Sequence, residues 1–163
     1  MKMLELGKYA RSAKMLLAIG AMLFVAACAQ TQPDGLKGNV APGTGQDFVV
    51  NVGDRVYFEE DQSTVNAQAQ ATLDKQSQWL AKYSKYTITI EGHADERGTR
   101  QYNIALGARR AAAARDYLVS RGVSASRIKT ISYGKERPVA VCNDNSCWSQ
   151  NRRAVTVLNN VTN

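Results

Sequence analysis

Histidine is almost missing from this chain: His93 is the only one in 163 residues. A single histidine cannot build an ordinary multi-histidine metal site, and Cys28, Cys142 and Cys147 are not spaced near it. No metal and no cofactor is therefore expected. A nucleophile in a recognised local context is also missing, since no serine or cysteine stands in an elbow or triad-like motif. His93, Asp95 and Glu96 lie close together as an acid/base cluster, but with no nucleophile beside them a non-enzymatic role is expected. There is no internal repeat. No apolar run is long enough for a comfortable transmembrane helix. Charge of one sign is not concentrated either. Lys and Arg outnumber Asp and Glu by 21 to 14, a net charge of +7. Lys2, Lys8, Arg11 and Lys14 against Glu5 put +3 of that ahead of Cys28, leaving +4 behind it with both signs interspersed. That is no nucleic-acid stripe, and no nucleic-acid partner is expected.

What the chain does hold begins with its leader. Four positive charges in residues 1–14 precede an uncharged run, residues 15–27, and then Cys28. A basic start, an apolar core of this length and small residues before a cut make a secretory signal peptide over residues 1–27. Val25-Ala26-Ala27-Cys28 looks like a bacterial lipobox, which implies lipidation of Cys28 as the new amino terminus. Several acyl chains on one cysteine would meet the requirement that stable anchoring needs more than one chain. Ala29, rather than aspartate, after the cysteine points to the outer membrane, with the rest of the chain facing the periplasm. Residues 28–47 are polar, carry Pro33, Pro42 and four glycines, and show almost no periodicity, so they read as a flexible tether. Residues 48–163 form the expected folded domain.

Within that domain Arg55–Phe58 reads as a first strand. Asn66 is placed to cap a helix whose inward spacing runs Val65, Ala69, Leu73, Leu80 and Tyr83, interrupted by Gln76. Trp79 reads as packing. Tyr86–Glu91 alternates as a strand with one buried face. An Ala-rich helix follows from about Arg100 to Ser120, with Thr99 as its cap and Gly122 at its end. Ser126–Ser132 and Arg153–Leu158 complete the strands. The order strand, helix, strand, helix, strand, strand predicts an α/β two-layer sandwich, with right-handed parallel crossovers favoured.

The stretch Glu91–Ala114 draws attention because polar groups at the end of a strand, facing the next helix, commonly form a binding site. Asp95 lies in the loop. Arg110 lies four residues after Leu106 and seven before Tyr117, on or beside the inward face of the helix. An arginine there needs a carboxylate or polar ligand to meet it. One reading pairs Arg110 with Asp95. The other is a zwitterion clamp, in which Asp95 takes a ligand ammonium and Arg110 grips a carboxylate in a two-pronged contact.

Gly92-His93-Ala94-Asp95-Glu96-Arg97-Gly98-Thr99, then Tyr102-Asn103, Leu106-Gly107 and Arg109-Arg110-Ala111, resemble the signature of the OmpA-like peptidoglycan-binding domain family. Ile131–Pro138 and Asn151-Arg152-Arg153-Ala154 agree with it, and the resemblance covers roughly Asp54 to Val157. It implies a βαβαββ core with a mixed sheet and two main helices. It implies that Asp95 and Arg110 hold the diaminopimelate of a peptidoglycan stem peptide, and that Glu59, Glu60 and Asp61 can form a rim. With the lipid leader it implies a link between outer membrane and cell wall within the Tol-Pal system, serving envelope integrity and cell division, with TolB and other Tol-Pal components as partners. Ala94 stands where the commoner pattern has threonine, which removes a hydroxyl but neither charged residue. His93 is expected to fix the loop by hydrogen bonding or to touch the ligand. Arg97, Thr99, Asn103 and Arg153 are expected at the rim or in support, and at least one arginine of the triplet Asn151-Arg152-Arg153 before the last strand is expected to brace the loop and hold Asp95. In the oxidising compartment that secretion implies, Cys142 and Cys147 are expected to pair across a small polar loop. Trp148 reads equally as a loop anchor or a partner contact.

Overall fold

The computed structural model describes residues 40–159. The expected signal peptide, the expected lipobox at Cys28 and most of the expected tether lie outside the described residues. The chain enters through a capped helical turn. Thr44 Oγ1 accepts from Asp47 N, and Gly45–Asp47 passes into a π-helical segment, Phe48–Val52. This lead-in is packed. Phe48 is buried and meets the Trp79 ring edge-on at 5.0 Å. The Asp47 carboxylate accepts from Gly43 N, Asn51 Nδ2 and Trp79 Nε1, each at 2.8 Å. The expected boundary at residue 47 therefore falls inside a packed segment. Those hydrogen bonds outweigh the effect of burial and hold the Asp47 carboxyl below its ordinary range.

Four strands and three helices of at least seven residues follow: β1 (Arg55–Tyr57), α1 (Ala67–Lys82), β2 (Thr87–His93), α2 (Arg100–Ser120), β3 (Ile128–Gly134), α3 (Asn145–Asn151) and β4 (Arg153–Asn159). The sheet order is β1-β4-β2-β3. β2 and β3 run parallel, joined through α2, and β4 is antiparallel to both its neighbours. The sheet is mixed, as the family resemblance implies. Asn66 caps α1 through Oδ1 on Ala69 N, and Thr99 caps α2 through Oγ1 on Tyr102 N.

The core lies between α1, α2 and one sheet face. Its members include Val56, Phe58, Leu73, Leu80, Ile88, Ile90, Ala111, Leu118 and Ala154. Gln76 does not break the apolar stripe as the sequence suggests. It is fully buried, donating to Gly53 O at 2.7 Å and accepting from Thr156 Oγ1 at 2.8 Å, so its amide ties α1 to the lead into β1 and to β4. Two strands begin or end later than expected. A 3₁₀ turn over Ala125–Arg127 delays β3 to Ile128, and β2 continues to His93 because β3 pairs with it that far. The unexpected element is α3. The polar stretch before β4 hides an N-cap, Asp144, whose carboxylate accepts from Ser146 N at 2.7 Å. Cys142 and Cys147 are bonded across that first turn, with Cα atoms 5.6 Å apart.

Gly92 on β2 and Gly107 on α2 set the height of the helix over the sheet. A Cβ on Gly92 would collide with the Gly107 carbonyl, and one on Gly107 would strike Ser132 Oγ on β3. Only glycine allows this approach. It brings the third residue beyond Gly107, Arg110, against the end of β2. No helix among the described residues is long and apolar enough to cross a membrane.

Candidate functional site

The end of β2 and the loop after it carry the site. Ala94 N donates to Gly134 O at 2.8 Å, keeping the strand ends together beyond their register shift at Gly92/His93. The loop then turns through Gly98, whose φ of 79° suits glycine. Asn103 is buried on α2 and donates to Arg97 O and Thr99 O, at 2.6 and 3.1 Å. Lys135 Nζ donates to Glu96 O and Gly98 O, at 2.9 and 2.7 Å. The loop backbone is thus fixed from both sides. Thr99 serves as the helix cap rather than as a rim contact.

Asp95 is 8% exposed and surrounded by cationic donors. Its Oδ1 accepts from Arg97 N and Nε, each at 3.2 Å. Its Oδ2 accepts from Arg97 Nη2 at 2.8 Å and Arg152 Nη1 at 3.4 Å. Burial alone would raise its pKa, but the bonds to Arg97 and Arg152 reverse this and hold the carboxyl below its ordinary value. The Arg97 guanidinium also donates to Glu60 Oε1 at 2.7 Å and lies 4.2 Å from the centre of the Trp148 ring. Its pKa is raised, chiefly by its hydrogen bonds to Asp95.

Arg110 is fully buried and does not pair with Asp95, so the ion-pair reading is corrected. Its three donor nitrogens are spent on backbone carbonyls: Nε on Gln62 at 2.8 Å, Nη1 on His93 at 2.8 Å and Nη2 on Glu59 at 3.1 Å. It lies over the Phe58 ring at 5.3 Å. Burial lowers its pKa to about 10, against the pull of Asp95. Arginine stays cationic at neutral pH even so. Each Nη retains a second hydrogen, so the fork keeps two donors beyond the carbonyls.

The other expected site residues separate. The His93 ring is 2% exposed, with no hydrogen-bond partner on either nitrogen among the described residues. Its Nε2 lies 3.7 Å from Glu91 Oε2, and Tyr133 flanks the ring at 5.6 Å. It fixes no loop through its ring. Only its carbonyl reaches the site, by way of Arg110. Burial, with Arg153 and Arg137 nearby, lowers its pKa to about 4. Arg153 does not brace the loop either. It donates to Asn151 O and Arg137 O, at 3.3 and 3.2 Å. Its predecessor Arg152 takes the bracing role, joining Asp95 to Phe58 O and Asn145 Oδ1. Neighbours at a strand start face opposite ways, so one residue of offset decides which arginine reaches Asp95. Trp148 acts as a loop anchor: besides covering Arg97, its Nε1 donates to Glu96 Oε1 at 3.1 Å. The resemblance left Tyr102 without a role. Its hydroxyl donates to the Asp61 carboxylate, which closes the rim between α2 and the β1 loop.

A cavity of about 250 Å³ opens on this rim, lined by Glu60, Asp61, Asp95, Arg97 and Tyr102 among others. A larger groove of about 480 Å³ runs beside β1, between α1 and α3. Among the described residues no three His, Cys, Asp or Glu side chains group to hold a metal ion.

The OmpA family model matches residues 57–154. The peptidoglycan-associated lipoprotein of Mesorhizobium japonicum is 62% identical over 152 residues, covering 88% of this chain and 90% of that protein. The protein of the same name in Rhizobium meliloti is 74% identical over 121 residues, 74% of this chain and 69% of that one. The crystal structure of the peptidoglycan-associated lipoprotein from Burkholderia pseudomallei is 43% identical. It superposes with a TM-score of 0.63 over 65% of this chain and 90% of that one. The C-terminal domain of Helicobacter pylori MotB, at 20% identity and a TM-score of 0.62, shares the fold.

Proposed function

The chain belongs to the OmpA family, and on that premise we propose that it is a lipid-anchored outer-membrane protein that binds peptidoglycan without forming a covalent bond to it. The wall ligand is the diaminopimelate of a stem peptide. The lipid on Cys28 holds one end and the Asp95 cavity holds the other, in a Tol-Pal assembly with TolB as a protein partner, supporting envelope integrity and division. The role is attachment, not catalysis.

The observation that carries the reading is an ionised, nearly buried carboxylate, Asp95, lining an open cavity, with the buried guanidinium of Arg110 close enough to feel its charge. The diaminopimelate side chain ends in a carbon bearing an ammonium and a carboxylate. Asp95 suits the ammonium. The free Nη hydrogens of Arg110 suit the carboxylate, once the ligand reaches between the β1 loop and α2. The name that the relatives carry, peptidoglycan-associated lipoprotein, supports the coarser part of this reading, binding to the wall.

The test is titration calorimetry of a diaminopimelate stem peptide beside one with lysine in its place, which lacks the terminal carboxylate. The diaminopimelate peptide should bind at least about tenfold more tightly. D95N keeps the side-chain shape and removes the charge, and should bind at least about tenfold more weakly than wild type while remaining folded. Equal affinity for the two peptides, or unchanged affinity in folded D95N, would overturn the reading.

A further inference from the structure

The cation that Asp95 is built to receive is already present, supplied by the chain. Arg97 makes a two-pronged contact with Asp95 and is the only cationic side chain among the residues lining the 250 Å³ cavity, against three carboxylates, Glu60, Asp61 and Asp95. We propose that Arg97 is a displaceable internal competitor for the ligand ammonium, and that binding strength is set by how firmly Trp148 holds Arg97 over Asp95. This rests on the wall-binding reading above and adds to it a residue that tunes affinity.

Three features make displacement workable. First, the aim of Asp95 does not depend on the Arg97 guanidinium. The Arg97 backbone N–H holds Oδ1, and Arg152, itself tied to Phe58 O and Asn145, holds Oδ2. Second, Arg97 is free to move in a way that Arg152 and Arg110 are not: its side chain is 35% exposed, against 6% for Arg152. Third, it has somewhere to go. Its Nη1 is bonded to Glu60, whose side chain is 66% exposed, and its plane lies on Trp148. A swing about the Glu60 contact, off the face of Trp148, uncovers Asp95 without leaving the guanidinium unpaired.

An entering ammonium then replaces one charge-assisted contact by another, so Asp95 is never a bare buried anion. The arrangement also explains the placement of Trp148. The side chain projects from α3, which is closed at its first turn by the Cys142–Cys147 bond, so the surface on which Arg97 rests is itself fixed.

A competitor lowers apparent affinity by the fraction of time it occupies the site, and removing it restores that factor. Calorimetric titration of the full chain in detergent micelles with a diaminopimelate stem peptide is the test. Arg97→Ala should tighten binding by about tenfold. Arg97→Lys, which keeps the charge and loses the fork, should fall between it and wild type. Trp148→Ala should tighten binding in the same direction by a smaller factor. The control ligand is the same peptide acetylated on the terminal ammonium, for which Arg97→Ala should bring no gain. Weaker binding by Arg97→Ala, with a melt showing the domain folded, would make Arg97 a direct ligand contact and overturn the proposal while leaving wall binding intact. A gain that persists with the acetylated peptide would also overturn it. Absence of binding by wild type and Arg97→Ala alike would overturn both this proposal and the wall-binding reading.

Discussion

A guanidinium with no exposed surface survives only if its donors are met, and Arg110 meets that condition with three carbonyls from two distant segments. Gln62 and Glu59 come from the loop after β1, and His93 from the end of β2. Helical spacing was enough to place Arg110 inward. It could not show that the partners would be backbone atoms 17, 48 and 51 residues away, because carbonyls leave no mark in a sequence. The consequence is that Arg110 has a structural role. R110A should lose about 3–5 kcal/mol of stability in urea unfolding, since it leaves buried carbonyls unpaired and opens a void. R110K should lose less and still fall short of wild type, because one ammonium cannot span the three acceptors. A melt of R110A matching wild type would contradict this. His93 gives a second residue-scale prediction. Its ordinary pKa of 6.5 drops to about 4 in the folded protein. Between those values the unfolded chain binds a proton that the folded chain refuses, so stability is intact above about 6.5, falls as pH drops toward 4 and then levels off. The loss over that window is up to about 3 kcal/mol. H93Q should flatten the profile between pH 7 and pH 4.5, and an unchanged slope in H93Q would refute the assignment.

At the scale of elements, the join between α2 and the sheet governs the site. Gly92 and Gly107 bring the helix down on β2 and β3, and the height of that contact fixes where Arg110 meets His93 O. G107A should lift the helix and lower stability by about 1–3 kcal/mol through overpacking. It should also weaken stem-peptide binding, because Leu106 and Asn103 move with the helix. Denaturant unfolding and calorimetry on one sample check both, and a neutral G107A would show that the helix has slack. The long helices were legible because each carries a strong cap, Asn66 or Thr99, before a long stretch of helix formers. α3 was not. Seven residues is too short for periodicity to register, and Asn143–Ser146 reads as turn chemistry, although Asp144 was the available sign of a helix start. That an arginine of the triplet before β4 would brace the loop was legible, and which of the two was not, because the direction of each depends on where α3 hands over to β4. The site was therefore legible as a motif around Asp95 and Arg110. Its connections, through Arg152, Trp148 and Tyr102, depend on tertiary neighbours.

At the scale of the whole molecule, the proposed role needs two ends that work independently, a lipid at Cys28 and a wall-binding domain joined to it by a tether. Independence is testable because the lead-in shows where the domain must start. Tyr86 Oη donates to Gly43 O at 2.8 Å, and Trp79 Nε1 donates to the buried Asp47 carboxylate. A chain beginning at Phe48 loses both acceptors and leaves a buried indole N–H unpaired. One beginning at Val40 keeps them. Both truncations lack the lipid. The Val40 chain should melt as a stable unit and sediment with purified peptidoglycan. The Phe48 chain should be less stable by about 1–3 kcal/mol, the usual loss for a buried donor left without its acceptor. At a temperature where both are folded it should bind the wall equally, since nothing in the lead-in lines the Asp95 cavity. If the folded Val40 chain binds peptidoglycan only when acyl chains are restored, the ends are not independent and the tethered two-ended arrangement fails. If it binds the wall freely, the lipid contributes position alone. The tether then sets how far above the membrane Asp95 can search for its ligand.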